Sequence, residues 1–185
     1  MSLEKVNIKW EELGFDAIQT RSMFKATCSN DGKWSGGSLV PYGNIELSPA
    51  AGVLNYGQGV FEGTKAFHTS KDNIVLFRID RNAKRMAWST KRLCIPEMNP
   101  EFFKNAVVAT LEDNFDYVPP YGKGSMYIRP IVWGTAPALG VRAVSEYTFM
   151  VFLSPVGSYF KAGVRPLNLK AVSYTHLTLP TNREV

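Results

Sequence analysis

Four stretches carry residue types that could do chemistry. Residues 54–67, LNYGQGVFEGTKAF, set Gly57, Gly59 and Gly63 among Tyr56, Phe61, Phe67, the acid Glu62 and the base Lys65. Glycine lets backbone turn sharply or lie against a ligand, and rings between such glycines can form an apolar wall with a polar tip at Tyr56. The same composition also describes a tight turn before a strand, with its rings in the core. Arg85 falls on a basic helical face, where it is either a bidentate anchor for phosphate oxygens or a solvated charge. Tyr127 and Arg129, two apart in YIRP, point to one side of a strand. A guanidinium on an otherwise apolar face needs a partner, either a ligand carboxylate or an internal acid such as Glu62. Tyr159, in VGSYFKAGV, reads locally as a phenol capping a strand end where Gly157 and Gly163 bend the chain.

Other familiar chemistries find no residues to run on. There is no Ser/His/Asp set: His68 sits beside a hairpin turn and His176 in an unusual tail. There is no G-x-x-x-x-G-K-[ST] loop, and GQGVFEG misses the dinucleotide fingerprint by one residue at its last glycine. Cys28 and Cys94 form no CxxC and have no histidine nearby, which argues against zinc and against a disulfide framework. Both are expected reduced and buried.

These residues must be positioned by elements that the pattern outlines. Residues 1–19 form an N-terminal arm anchored by Trp10, Leu13, Phe15 and Ile18. A strand over 22–28 turns at Ser29-Asn30-Asp31-Gly32 and returns over 33–40, loosened by Gly36 and Gly37. A short extended piece follows at 45–47. Residues 64–68 and 74–79 read as strand, turn, strand. At Asp80, a plausible N-cap, the period changes to helical, with Ala83, Met86, Ala87, Thr90 and Leu93 as the core stripe. Pro96 ends that helix. Asn99-Pro100 opens a second as N-cap and N1, burying Phe103, Ala106, Val107, Thr110 and Leu111. Residues 125–135 form a strand in which Pro130 implies an edge or a bulge, and 147–156, YTFMVFLSPV, is the most strand-like run. Strands, two consecutive helices, then strands, with no regular βαβ alternation, predict an α+β fold: a mixed or antiparallel sheet with helices packed on it.

At 185 residues, with 45% hydrophobic and 20% charged, the chain can bury a real core. No apolar run is long enough to span a bilayer. The start, MSLEKVNIKWEELG, lacks an apolar signal-peptide core and the Arg/Ser-rich look of a transit peptide, so the cytosol is expected. The net charge of +5 invites a nucleic-acid reading, but a modest basic excess equally suits an enzyme of anionic ligands. The basic residues form no clustered stripe with interleaved exposed aromatics.

Four separated blocks carry a resemblance. LNYGQGVFEGTKAF, LFRIDRNAKRMAWSTKRL, SMYIRPIVWGTAPALGV and VFLSPVGSYF, in this order and spacing, closely resemble the N-terminal part of branched-chain amino acid aminotransferases, pyridoxal-phosphate enzymes of fold type IV. The likeness covers residues 14–163. It implies the small domain of such an enzyme over 20–160, and a transaminase moving the amino group of leucine, isoleucine or valine to 2-oxoglutarate. It implies pyridoxal 5'-phosphate as cofactor, held through its phosphate by Arg85. Tyr56, Phe61 and Tyr159 would line the pocket for the branched side chain. Tyr127 and Arg129 would recognise the substrate carboxylate, Arg129 with the longer acid glutamate. Gly140 and Val141 would sit in a loop reaching towards the partner subunit of a homodimer. Arg85 and Arg129 are thus expected to face one shared cavity.

The resemblance also implies what lies elsewhere. The family's Schiff-base lysine belongs to a second, larger domain, at a position just beyond Val185; Lys161 and Lys170 do not stand in its context. Residues 161–171 look like the start of the interdomain linker. Residues 172–185, VSYTHLTLPTNREV, match nothing in the family, and their first ten look like one reading frame of a transposon-derived sequencing adaptor. This chain alone is therefore expected to be inactive. The alternatives are a sister fold type IV enzyme, a D-amino acid aminotransferase or an aminodeoxychorismate lyase, and, from another class, a basic nucleic-acid-binding or dimerisation module.

Overall fold

The computed structural model describes residues 7–29 and 31–158. The expectations for Tyr159, for the linker at 161–171 and for the tail at 172–185 fall outside the described residues. Within them the chain runs β1 (Ser22–Cys28), β2 (Ser38–Pro41), α1 (Gly52–Tyr56), β3 (Gly59–Phe61), β4 (Thr64–His68), β5 (Ile74–Leu76), α2 (Ile79–Arg92), α3 (Pro100–Asp113), β6 (Ser125–Gly134) and β7 (Tyr147–Val156). The strands form one sheet in the order β2-β1-β7-β6-β4-β5, with β3 also paired to β6. Every pairing is antiparallel. The expected α+β class is what the chain adopts.

β7 lies between β1 and β6 and is buried along nearly its whole length. This explains why its sequence is an almost continuous apolar run instead of an alternating one. The pleat sends its residues to two faces. On one face Phe149 meets the rings of Phe24, Phe102, Phe103 and Trp34 at centroid distances of 5.9–6.3 Å. That face is covered by α2 and α3, which bury Ala83, Met86, Ala87 and Thr90 from the first and Phe103, Ala106, Val107, Thr110 and Leu111 from the second. On the other face Met23, Trp133 and Met150 form a smaller cluster with Val53, Ile131 and Phe152. Both helical stripes are the ones the sequence predicts, except that Leu93 is 39% exposed, because α2 ends at Arg92.

The start of α2 departs from expectation. Arg78, in a left-handed conformation (φ 51°, ψ 40°), occupies the cap position. Asp80 lies in the first turn, where its carboxylate accepts from Arg78 Nε and Nη2 at 3.1 and 3.2 Å and meets the positive end of the helix dipole. The preceding strand accordingly stops at Leu76, not at residue 79. The start of α3 follows the sequence: Asn99 accepts from the backbone N–H of Glu101 and Phe102, and Pro100 is the first helical residue.

Three further expectations are corrected. The return from the first hairpin pairs only over Ser38–Pro41, plus one bridge between Cys28 and Trp34; Gly37, at φ 67°, lies so close to the Phe24 ring that a side chain would collide with it. Residues 45–47 join no strand. Cys94 is exposed, whereas Cys28 is buried as expected, and burial, with Asp31 nearby, raises the Cys28 thiol above its ordinary value.

Pro130 marks neither a sheet edge nor a bulge. It sits in the middle of β6, opposite Val151 of β7. On its other side lies Glu62, in the gap between β3 and β4, whose backbone N–H donates to Pro130 O at 2.9 Å. Proline returns no N–H to Glu62, so the ladder loses a bond there and one long strand becomes two short ones.

The end of α3 is fastened to the start of β1 by Asn114. Its fully buried amide accepts from Ser22 N at 3.1 Å and donates to Ser22 O, Ser22 Oγ and Thr110 O at 3.2, 3.1 and 2.7 Å. Replacing it leaves buried backbone groups unpaired, which costs about 1–3 kcal/mol for each such group. Asn114→Ala is expected to lower stability by about 2–4 kcal/mol, read as a fall in the urea midpoint at unchanged slope.

Candidate functional site

The candidate residues gather around the gap between β3 and β4. The register sets Phe61 opposite Ile131 and Lys65 opposite Tyr127. Phe61, Lys65, Tyr127, Arg129, Ile131 and Trp133 therefore stand on the sheet face away from α2 and α3. Glu62, one residue from Phe61, points the opposite way, to the helices.

On the open face Arg129 donates to Tyr127 Oη from Nη2 at 2.5 Å and from Nε at 3.3 Å. Its guanidinium carbon lies 4.4 Å from the Phe61 ring centre and 5.3 Å from that of Tyr127. Phe15 meets Tyr127 edge-on at 5.7 Å and receives Lys65 Nζ at 5.6 Å. The face thus alternates cations with rings. Stacking holds a guanidinium while leaving edge N–H groups available, which suits recognition of a planar anion such as a carboxylate. No internal carboxylate is hydrogen-bonded to Arg129 among the described residues, so the acid considered for it, Glu62, is not its partner.

Glu62 belongs instead to Arg85. Its Oε1 accepts from Arg85 Nε, and its Oε2 from Arg85 Nη2, both at 2.8 Å. Asn82, on the same side of α2, donates to Oε2 at 2.8 Å and to Gly63 O at 3.2 Å. The hydrogen bonds that Arg85 donates to Glu62 raise its proton affinity against the opposing effect of its desolvation, so Arg85 is a permanent cation. Its side chain is 58% exposed, that of Glu62 only 11%. Arg85 keeps N–H donors beyond those given to Glu62, enough to take an anionic oxygen from solvent.

Among the described residues no hydrogen bond or ring contact joins the two arginines: Arg85 is bonded to Glu62, and Arg129 stacks on Phe61, the residue before Glu62. Tyr56, the last residue of α1, contacts neither: its hydroxyl donates to Leu139 O. That bond ties α1 to the loop carrying Gly140 and Val141, whose tip is bare, with Leu139 90% and Val141 87% exposed. Ala138 N–H to Ala50 O, at 2.9 Å, closes the same junction. The predicted residues therefore fall into three groups: Phe61, Tyr127 and Arg129; Arg85; and Tyr56 beside Gly140 and Val141. Two participants were missed as such, Asn82 and the link from Glu62 to Arg85. Their only sequence signal is the i, i+3 spacing of Asn82 and Arg85, which puts both on one helix face.

Among the described residues no cluster of three or more metal-capable side chains occurs, and no helix is long and apolar enough to cross a membrane.

Gly63 makes the open-face group possible. A methyl group there would lie 2.8 Å from Tyr127 Oη, whereas one at Gly140 would meet nothing within 4 Å. Gly63→Ala is expected to push the phenol off Arg129 and cost about 1–3 kcal/mol, while Gly140→Ala stays within about 0.5 kcal/mol of the parent. Urea titration of the two variants checks the contrast.

No protein-family model matches the chain. It is 48% identical over 177 residues, 96% of its length, to "branched-chain-amino-acid aminotransferase 5, chloroplastic" of Arabidopsis thaliana, covering 43% of that protein. It is 45% identical over 97% of its length to "branched-chain amino acid aminotransferase 2, chloroplastic" of Humulus lupulus, covering 44%. Among solved structures it superposes on the branched-chain aminotransferase of the thermophilic archaeon Thermoproteus uzoniensis with norvaline at a TM-score of 0.60 and 26% identity, over 76% of this chain and 43% of that one. The chain thus spans less than half the length of the curated relatives it matches.

Proposed function

Because the chain belongs to the branched-chain amino acid aminotransferase family, we propose that the whole protein transfers the amino group of leucine, isoleucine or valine to 2-oxoglutarate. The observation that carries this reading is the Phe61–Tyr127–Arg129 group: a charged guanidinium stacked between rings, hydrogen-bonded to a phenol and bonded to no internal carboxylate among the described residues. Such a group fits a substrate that is an acid at one end and apolar at the other. Arg129 and Tyr127 take the carboxylate, with the 2-oxoglutarate/glutamate pair as the main claim on Arg129. Phe61 offers its ring to the aliphatic side chain, and Tyr56 and Tyr159 are assigned to the same apolar wall from the family likeness alone.

The cofactor proposed is pyridoxal 5'-phosphate, which supplies an electron sink when bound. Arg85 fits its phosphate: it is exposed, permanently charged, and keeps donors beyond those bonded to Glu62. The lysine that completes the chemistry is assigned to a larger domain of the whole protein. Residues 20–160 are read as the small domain, and 172–185 as foreign to the gene; re-reading the gene after codon 171 tests that assignment. A homodimer is proposed, with Gly140 and Val141 on the bare loop facing the partner. The two plant relatives above are named chloroplastic, and a fluorescent fusion of the full-length product reads its compartment.

The full-length protein is expected to transaminate leucine with 2-oxoglutarate and to leave D-alanine untouched; the reverse preference points to a sister fold type IV enzyme. Arg129→Ala is expected to raise KM for 2-oxoglutarate about tenfold or more, since a charge-assisted bond to the substrate is lost. An unchanged KM contradicts its assignment to the substrate acid.

A further inference from the structure

Glu62 and Arg85 form an unequal pair: a nearly buried acid grips one edge of an exposed base. The carboxylate is itself fixed, because Asn82 Nδ2 bonds both Oε2 and Gly63 O. An arginine left to itself carries about 2 kcal/mol of rotamer entropy, and any anion that binds it must overcome that freedom. The two-point bond to Glu62 removes it beforehand. It uses the Nε and Nη2 atoms and leaves Nη1 for another oxygen. Two opposite consequences are physically possible. A carboxylate can compete with a phosphate for one guanidinium and repel it, so its removal would tighten phosphate binding. Or it can hold the guanidinium in the binding orientation, so its removal would weaken phosphate binding. The geometry points to the second. The pair engages one edge only, and the carboxylate charge is shared between Arg85 and Asn82 on the side away from Nη1.

We propose that Glu62 is a positioning residue, which acts through Arg85 to orient it towards the cofactor phosphate, with Asn82 fixing the carboxylate. This inference rests on the assignment of Arg85 to that phosphate.

The test uses the full-length protein freed of cofactor and two probes, pyridoxal 5'-phosphate and pyridoxal, which lacks the phosphate. Dissociation constants come from absorbance titrations. The parent is expected to bind the phosphorylated probe more tightly; no such preference overturns the Arg85 assignment and this inference together. Glu62→Gln, which keeps the side-chain volume, is expected to weaken pyridoxal 5'-phosphate about tenfold, the scale of one lost charge-assisted contact, and to leave pyridoxal unchanged. Equal weakening of both probes, or tighter binding of the phosphorylated one, overturns the positioning role while the Arg85 assignment stands. In an Arg85→Ala background, Glu62→Gln is expected to change the preference no further; an undiminished second loss contradicts the proposal. Should Glu62→Gln fail to fold, Asn82→Ala takes its place. A smaller loss of phosphate preference supports the proposal, and an unchanged preference overturns it.

Discussion

The arrangement depends on one register, that of β3 and β4 against β6. With Phe61 opposite Ile131 and Thr64 opposite Ile128, the pleat sends Phe61 to the open face and Glu62 to the helices. A slip of one residue would exchange them, giving Arg129 a buried acid and Arg85 an exposed ring. Two small features fit that register at its centre. Pro130 withholds the N–H that would have continued the ladder at Glu62. Gly63 has no side chain where the Tyr127 hydroxyl must pass. The interruption thus lies beside the residues that carry the proposed chemistry, where a local break in regular structure is expected to have a use.

The rest of the domain keeps this register in place. β7 pairs along the whole of β6, so β6 cannot shift without breaking a ten-residue ladder. Phe149, near the start of β7, packs against rings from β1 and α3, which locks the helix layer to the sheet. Asn114 ties the end of that layer to β1, and Arg21 adds an ion pair to Asp116 at 2.5 Å and a bond to Asp113 O. With the layer fixed, α2 lies above the β3–β4 gap, and its Asn82 and Arg85 reach Glu62. The two arginines are held in different ways, one by a carboxylate fork and one by aromatic faces. Both holds leave a charged group facing outward at full charge.

Much of this was legible in the sequence, for physical reasons that differ by element. α3 could be read because Asn99-Pro100 is a strong start signal and its five buried residues keep the helical period. Tyr127 and Arg129 could be paired because two residues apart in a strand means one face. α1 could not be seen, since the five residues of Gly52–Tyr56 are too few for any period. The start of α2 was misplaced because nothing in an arginine announces a left-handed φ at residue 78. Glu62 was offered to the wrong arginine. Its parity excludes Arg129, but only once the register with β6 is known, and that register is a long-range fact. The family, by contrast, could be read from four blocks in order, because such a likeness needs no local signal to be strong.

The central claim is that two adjacent residues, Phe61 and Glu62, hold two arginines, Arg129 for a substrate acid and Arg85 for a cofactor phosphate. The most direct measurement is a crystal structure of the full-length protein with pyridoxamine 5'-phosphate and 2-oxoglutarate. The account predicts the phosphate within about 3 Å of Arg85 nitrogen, the Glu62 fork retained, and a carboxylate of the oxo acid on Arg129. A phosphate bound elsewhere, with Arg85 closed on Glu62 and Arg129 touching no ligand, would contradict it.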